Sequence, residues 1–191
     1  MAKVTIVFHS GYGHTAKLAQ AVHEGAAGVA GSDVTTLPIS AEGELPPGGW
    51  DTLAATDAII FGSPTYMGGP SWQFKKFADT SSKPWASQAW KDKIGAGFTN
   101  SASMNGDKFS TISYFVTLSM QQSMLWVGLG VMPANAKANS HDDVNYVGAF
   151  GGAYATSPSD SGPDEYPNDA DRETGALLGR RVAEVAAKLR G

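Results

Sequence analysis

The sequence predicts an α/β domain of three layers, with a doubly wound parallel sheet of five strands between two layers of helices. Three observations predict it. Five apolar runs recur along the 191 residues, helical periodicity fills the gaps between them, and many of the 23 glycines cluster directly after the runs. Strands that alternate with helices are joined by right-handed crossovers, so the strands run parallel and helices cover both faces of the sheet.

The first run, Val4-Thr-Ile-Val-Phe8, reads as a buried strand. Val34 to Ile39 reads as a weaker one nearer an edge, because Pro38 cannot donate to a ladder. Ala58 to Phe61 and Ile94 to Phe98 follow as buried strands, and Leu125 to Leu129 is the fifth. Between them, Ala19, Val22, Ala26 and Val29 share one helical face, with Lys17, Gln20 and Glu24 turned away. A helix over Trp72 to Asp79 places Phe74 and Phe77 together, and a longer one runs from Ser110 to Met124. The last helix carries the stripe Leu178, Val182, Val185 and Leu189, with Asn168 or Asp169 as N-cap and Lys188 and Arg190 at its C-terminal end. Ala41 to Thr56, with Pro46-Pro47 and Gly48-Gly49, reads as a loop. Pro133 to Pro167 reads as a long irregular stretch, a functional segment or an oligomer contact, with disorder as the other reading. Five strands and no second domain or repeat suggest the flavodoxin-like strand order 2-1-3-4-5 over residues 1–191.

Composition narrows the function. No cysteine is present, which excludes disulfides, thiol catalysis and cysteine-held iron–sulfur or zinc sites. A net charge of -4 with scattered basic residues argues against a nucleic-acid partner. No apolar run approaches the roughly 18–20 residues of a membrane helix, and Met1-Ala-Lys3 passes at once into a strand, so the expectation is a cytoplasmic protein. No metal site is expected: His141-Asp142-Asp143 are adjacent side chains that do not converge into a cage. No Gly-x-Ser-x-Gly nucleophile elbow is present.

In an open α/β sheet, ligands bind beyond the carboxyl ends of the strands, where the strand order reverses. After the first strand, Ser10, Gly11, Tyr12, Gly13, His14 and Thr15 run straight into a helix. The glycines allow a tight turn and close backbone approach. Bare amides, the helix dipole and two hydroxyls then form a phosphate cradle without an obligatory lysine. His14 either donates there or flanks the loop. The loop is not a Walker motif, and the loose dinucleotide pattern Gly11-x-Gly13-x-x-Ala16 lacks its acidic partner after strand two. After strand three, Pro64, Thr65, Tyr66, Met67 and Gly68 offer an aromatic, a thioether and exposed amides to a flat ring. After strand four, Thr99, Asn100, Ser101 and Asn105 offer donors and acceptors to a planar heterocycle. Taken singly, the three loops are also readable as an ordinary glycine-rich turn, a surface turn and a polar linker, the last of these most readily. Their coincidence at three neighbouring strand ends makes one crevice with the shape of flavin mononucleotide (FMN).

Phe8-His-Ser-Gly-Tyr-Gly-His-Thr15, Ile59-Ile-Phe-Gly-Ser-Pro-Thr-Tyr-Met-Gly68 and Trp85-Ala-Ser87 together resemble the flavodoxin-like NAD(P)H:quinone oxidoreductases of the tryptophan-repressor-binding-protein type and the related NADPH-dependent FMN reductases. The resemblance spans residue 3 to about 132 and resumes in the C-terminal helix. It implies that Ser10 to Thr15 hold the FMN phosphate, and that Pro64 to Gly68 and the Thr99–Gly106 segment, with about one inserted residue, flank the ring. It further implies NAD(P)H as donor, a quinone as acceptor, ping-pong turnover, and a homodimer or homotetramer. In that family a tryptophan at the position of Trp85 shapes the space above a neighbouring subunit's flavin. The family's paired histidines are absent from the corresponding stretch here, Thr117 to Met124, where Gln121 or Gln122 can hydrogen-bond a quinone or the flavin edge but not titrate. Trp85 and Gln122 are therefore the expected substrate-side residues, and no catalytic side chain is strictly required. The rival readings are a one-electron carrier, a reductase that releases reduced FMN, and a flavin-binding regulatory protein.

Overall fold

Alternation along β1 (Ala2–Phe8) sends Val4, Ile6 and Phe8 to one side of the sheet and Val7 to the other, and all four are buried. A strand apolar on both faces belongs in the middle of a covered parallel sheet. In the computed structural model, which describes residues 1–190, β1 lies between β2 (Ser32–Pro38) and β3 (Ala58–Tyr66), parallel to both. A two-residue strand, β4 (Gly69–Pro70), folds back antiparallel on the end of β3. β5 (Ile94–Ser101) pairs with the other side of β3, and β6 (Leu125–Trp126) pairs with β5. The order β2-β1-β3-β5-β6 is the flavodoxin-like order.

The helices are α1 (His14–Ala27), α2 (Gly49–Ala55), α3 (Trp72–Thr80), α4 (Ser82–Ala86), α5 (Lys108–Gln121) and α6 (Asp169–Leu189). On one face, Leu18, Val22 and Ala26 of α1 and Leu178, Val182 and Ala186 of α6 pack over Val4, Ile6, Ile60 and Phe98. On the other, Leu53, Phe74, Phe77, Ile112 and Phe115 pack over Ile59 and Phe61. Trp90, 1% exposed, stacks within this second cluster on Trp50 and Phe77. Fully burying one such large apolar side chain stabilises the fold by about 1.5–3 kcal/mol. Gly97 lets α5 come close: a Cβ there would lie 2.7 Å from the Phe115 ring. Asn168 caps α6, its side-chain oxygen accepting from the Asp171 amide.

Two expectations are corrected. The stretch 41–56 is not all loop, because Gly48 adopts a left-handed conformation (φ 76°) and the chain then closes the short helix α2 over Leu53. The fifth strand does not run on to Leu129. It is split: β6 pairs with Ile94 and Gly95, residues 127–152 leave the sheet, and β7 (Ala153–Thr156) returns parallel to Phe98–Ser101 of β5. The stretch 133–167 therefore contains a buried strand. Among the described residues, no helix is long and apolar enough to cross a membrane.

Candidate functional site

The carboxyl ends of β1, β3, β5 and β7 open into a cleft of about 590 Å³. Its first wall is the turn from β1 into α1, of which Tyr12, His14 and Thr15 line the cleft while Ser10, Gly11 and Gly13 do not line it themselves and shape the turn. Gly13 sits there at φ 93°, a left-handed conformation that favours glycine, and a Cβ on it would meet the Pro163 ring at 2.9 Å. A Cβ on Gly11 would lie 2.6 Å from the Tyr66 hydroxyl, so the loop and the β3 turn approach as closely as backbone allows. The Ser10 hydroxyl oxygen accepts from the amides of Gly13 (3.1 Å) and Ala16 (3.2 Å), which leaves its own proton free to donate outward. Among the described residues, the amides of Gly11, Tyr12, His14 and Thr15 have no acceptor within the chain. The Thr15 hydroxyl, on a residue only 2% exposed, likewise makes no bond. A helix N-terminus with this many unspent donors is an anion site.

His14 lines the cleft, but its Nε2–H donates to the Ser161 carbonyl at 3.1 Å. It therefore ties down a cover formed by residues 157–163 rather than aiming that nitrogen at a phosphate. Lys17 of α1 and Asp164, the residue after the cover, add an exposed ion pair at 3.2 Å. Beside the loop, burial holds His9 below its ordinary pKa, and its Nδ1 has no partner.

The second wall follows β3. Pro64, Thr65 and Tyr66 line the cleft, and Tyr12 meets Tyr66 edge-to-face with ring centroids 6.3 Å apart. Burial and the neighbouring Tyr12 raise the Tyr66 phenol, which stays a neutral donor. Met67 (φ 47°) and Gly68 (φ 76°) form the outer tip of the turn into β4, and Met67 is fully exposed there. They are near the cleft in sequence but do not line it. The third wall comes from β5 and its exit. Asn100, Ser101 and Ala102 line it, and the Asn100 Oδ1 accepts from the Ser157 hydroxyl at 2.9 Å, leaving its side-chain NH2 uncommitted.

Several expected site residues lie elsewhere. Thr99 is fully buried, and its hydroxyl and that of Thr111 each bond Thr65 at 2.8 Å, a closed cluster beneath the floor. Alternation along β5 explains this, since Thr99 and Asn100 must face opposite ways. Asn105 lines a different cleft of about 480 Å³ with Met104, Phe109 and Phe150. Trp85 and Gln122 share a third groove of about 270 Å³. There the Gln122 NH2 donates to the Ser81 carbonyl (3.0 Å) and hydroxyl (2.9 Å), so within one chain it does not face the cleft. The His23 Nδ1 lies 3.0 Å from the Thr36 hydroxyl, away from the cleft lining. His141 turns toward Asp171 at 3.1 Å, and among the described residues no three metal-ligating side chains converge.

The residues missed are Ser157, Pro158, Ser159 and Ser161 of the cover. Their only sequence signal is the small-residue run from Ser157 to Pro163, which cannot say which loop it closes on. FMN fits the whole arrangement. Orphan amides and the Thr15 hydroxyl answer its phosphate, and the Tyr66 and Asn100 walls offer an aromatic edge and a free carboxamide NH2 to its rings.

Comparison with known proteins points the same way. The profile of the family described as NADPH-dependent FMN reductase matches residues 50–138. A protein named flavodoxin FldP from Pseudomonas aeruginosa (strain UCBPP-PA14) is 45% identical over 99% of both chains. An NAD(P)H dehydrogenase (quinone) from Geobacter metallireducens is 34% identical over 99% of this chain and 100% of its own. A crystal structure titled flavodoxin, WrbA-like protein, from Agrobacterium tumefaciens superposes with a TM-score of 0.79 at 47% identity, covering 98% of this chain and 99% of that one. An archaeal flavodoxin at 19% identity and a TM-score of 0.63 shares the fold. With near-complete coverage at these identities, the chain belongs to the flavodoxin-like, FMN-binding oxidoreductase family that holds the WrbA-type NAD(P)H:quinone enzymes.

Proposed function

We propose that this protein is an FMN-dependent oxidoreductase that passes a hydride from NAD(P)H to a quinone. The observation that carries the reading is the set of unspent donors at the start of α1: the amides of Gly11, Tyr12, His14 and Thr15 with the Thr15 hydroxyl, beside a cleft walled by Tyr66 and Asn100. Bound FMN supplies the two-electron redox chemistry. The chain's own residues do the rest. Ser10 and Thr15 donate to the phosphate and the helix dipole stabilises its charge. Tyr66 and Pro64 flank the ring, Asn100 hydrogen-bonds its edge, and the 157–163 cover keeps water from the phosphate end. No lysine or arginine lines the cleft, so the nucleotide is held by dipoles rather than by ion pairs.

Trp85 is 52% exposed and Trp72 61% exposed, which suits a homodimer or homotetramer in which Trp85 reaches a neighbour's flavin. Gln122 lines the same groove and donates to the Ser81 carbonyl, which also accepts from the Trp85 amide. A second reading, a one-electron carrier, is favoured by the relative named flavodoxin. One cuvette separates them: FMN-loaded protein, NAD(P)H and benzoquinone. Oxidation of the nicotinamide at a rate that saturates with quinone supports the enzyme. A protein that binds FMN yet leaves NAD(P)H untouched supports the carrier.

A further inference from the structure

Lys108, at the first position of α5, has no solvent exposure. All three of its ammonium protons are used, on the carbonyls of Ser103 (2.6 Å) and Met104 (2.9 Å) and on the Thr156 hydroxyl (3.0 Å). On the far side of Thr156 lies Asp171, 1% exposed, whose Oδ2 accepts from the Thr156 amide (2.7 Å) and from His141 (3.1 Å). A cation and an anion are thus buried on either side of one residue. Placing charges in a dry interior costs free energy that their attraction only partly returns. Burial pushes Lys108 down to about 8, with Asp171 pulling it back up, and raises Asp171 against the Thr156 amide, His141 and Lys108.

Their place suggests what they are for. Ser103 and Met104 follow Ala102, which lines the cleft. Thr156 precedes Ser157, which bonds Asn100 through its hydroxyl and Ser101 through its amide. The pair therefore stands directly behind the wall assigned to the ring, with the cation on the loop side and the anion on the α6 side. Charge at short range in a low-dielectric interior acts strongly on any group that gains an electron pair.

We propose that Lys108 and Asp171 set the reduction potential of the flavin held in the cleft, the lysine raising it and the aspartate lowering it. Lys108 also acts as the positioning residue for the Ser101–Gly106 loop. The inference rests on the FMN reading above. Neither residue lines the cleft, so each acts through the wall and through its field.

The test measures dissociation constants at pH 7 for oxidised and for dithionite-reduced FMN in the wild type, Lys108→Met and Asp171→Asn. The ratio of reduced to oxidised constants reports the shift in potential on binding. It rises roughly tenfold in Lys108→Met, which for a two-electron couple is about 30 mV in the negative direction. In Asp171→Asn it falls severalfold. Opposite shifts are the signature of charge, because a merely structural loosening would weaken both oxidation states alike in both variants. Ratios equal to the wild type, or shifted in the same direction, overturn the inference. If Lys108→Met does not fold, judged by apo-protein melting, Asp171→Asn decides alone, and an unchanged ratio there is the overturning result. Failure of the wild type to bind FMN refutes the FMN reading itself, a distinct outcome.

Discussion

Replacing Thr15 with valine keeps the side chain's shape and removes one hydroxyl. Thr15 is 2% exposed at the start of α1, and its hydroxyl has no partner within the protein. The apo protein therefore loses no protein hydrogen bond in Thr15→Val, only a hydroxyl that faces the cleft, so its melting temperature stays level. The holo protein loses a hydrogen bond to a charged phosphate, worth about 1.5–3 kcal/mol. At 1.4 kcal/mol per decade, FMN affinity falls roughly ten- to hundredfold. Titration calorimetry, or quenching of flavin fluorescence, measures it directly. An unchanged dissociation constant refutes the phosphate assignment. A large fall in apo stability refutes the claim that the hydroxyl is idle without ligand.

Other outcomes follow from the same geometry. Gly13→Ala forces a Cβ into a left-handed conformation and to within 2.9 Å of Pro163, costing about 1–2 kcal/mol from the backbone alone, so both the melting temperature and FMN affinity drop. Phe115→Ala opens a hole between α5 and the sheet and lowers unfolding free energy by about 3–5 kcal/mol in urea titration, with the fold class intact by circular dichroism. Burial holds the Lys108 pKa at about 8 against 10.5 for a free lysine. Between those values the unfolded chain keeps a proton that the folded chain has released, so wild-type stability gains on Lys108→Met as pH rises through that window. Denaturant midpoints at pH 7.5 and 10 check the sign. Trp85→Ala, on an exposed side chain outside the cleft, leaves FMN affinity of the single chain unchanged but weakens self-association in analytical ultracentrifugation.

The central strands were legible because burial on both faces writes unbroken apolar runs, as in Ala58 to Phe61. The phosphate end was legible for a similar reason: its donors are contiguous in the chain, and glycine followed by a helix start is a local signal. The split of the fifth strand was not legible. Val127-Gly-Leu-Gly continues the apolar pattern while the chain turns away, and Ala153–Thr156 is too short to announce itself. α2 was hidden behind Pro46-Pro47, whose stiffness reads as loop although Gly48 restarts the chain as helix. The ring end was only half legible. Thr99 and Asn100 are equal as polar residues, and only strand alternation separates the buried one from the lining one. The 157–163 cover depends on a meeting across the sheet, such as His14 with Ser161, that no local pattern records.

A nucleotide seated with its phosphate at the start of α1 underlies every role assigned above. Solution 31P NMR of FMN added to the purified protein tests that most directly. The expected result is a phosphate resonance moved from its free position, at one equivalent per chain, with a shift that Thr15→Val diminishes. A resonance left at the free position, or one moved identically in the variant, contradicts it.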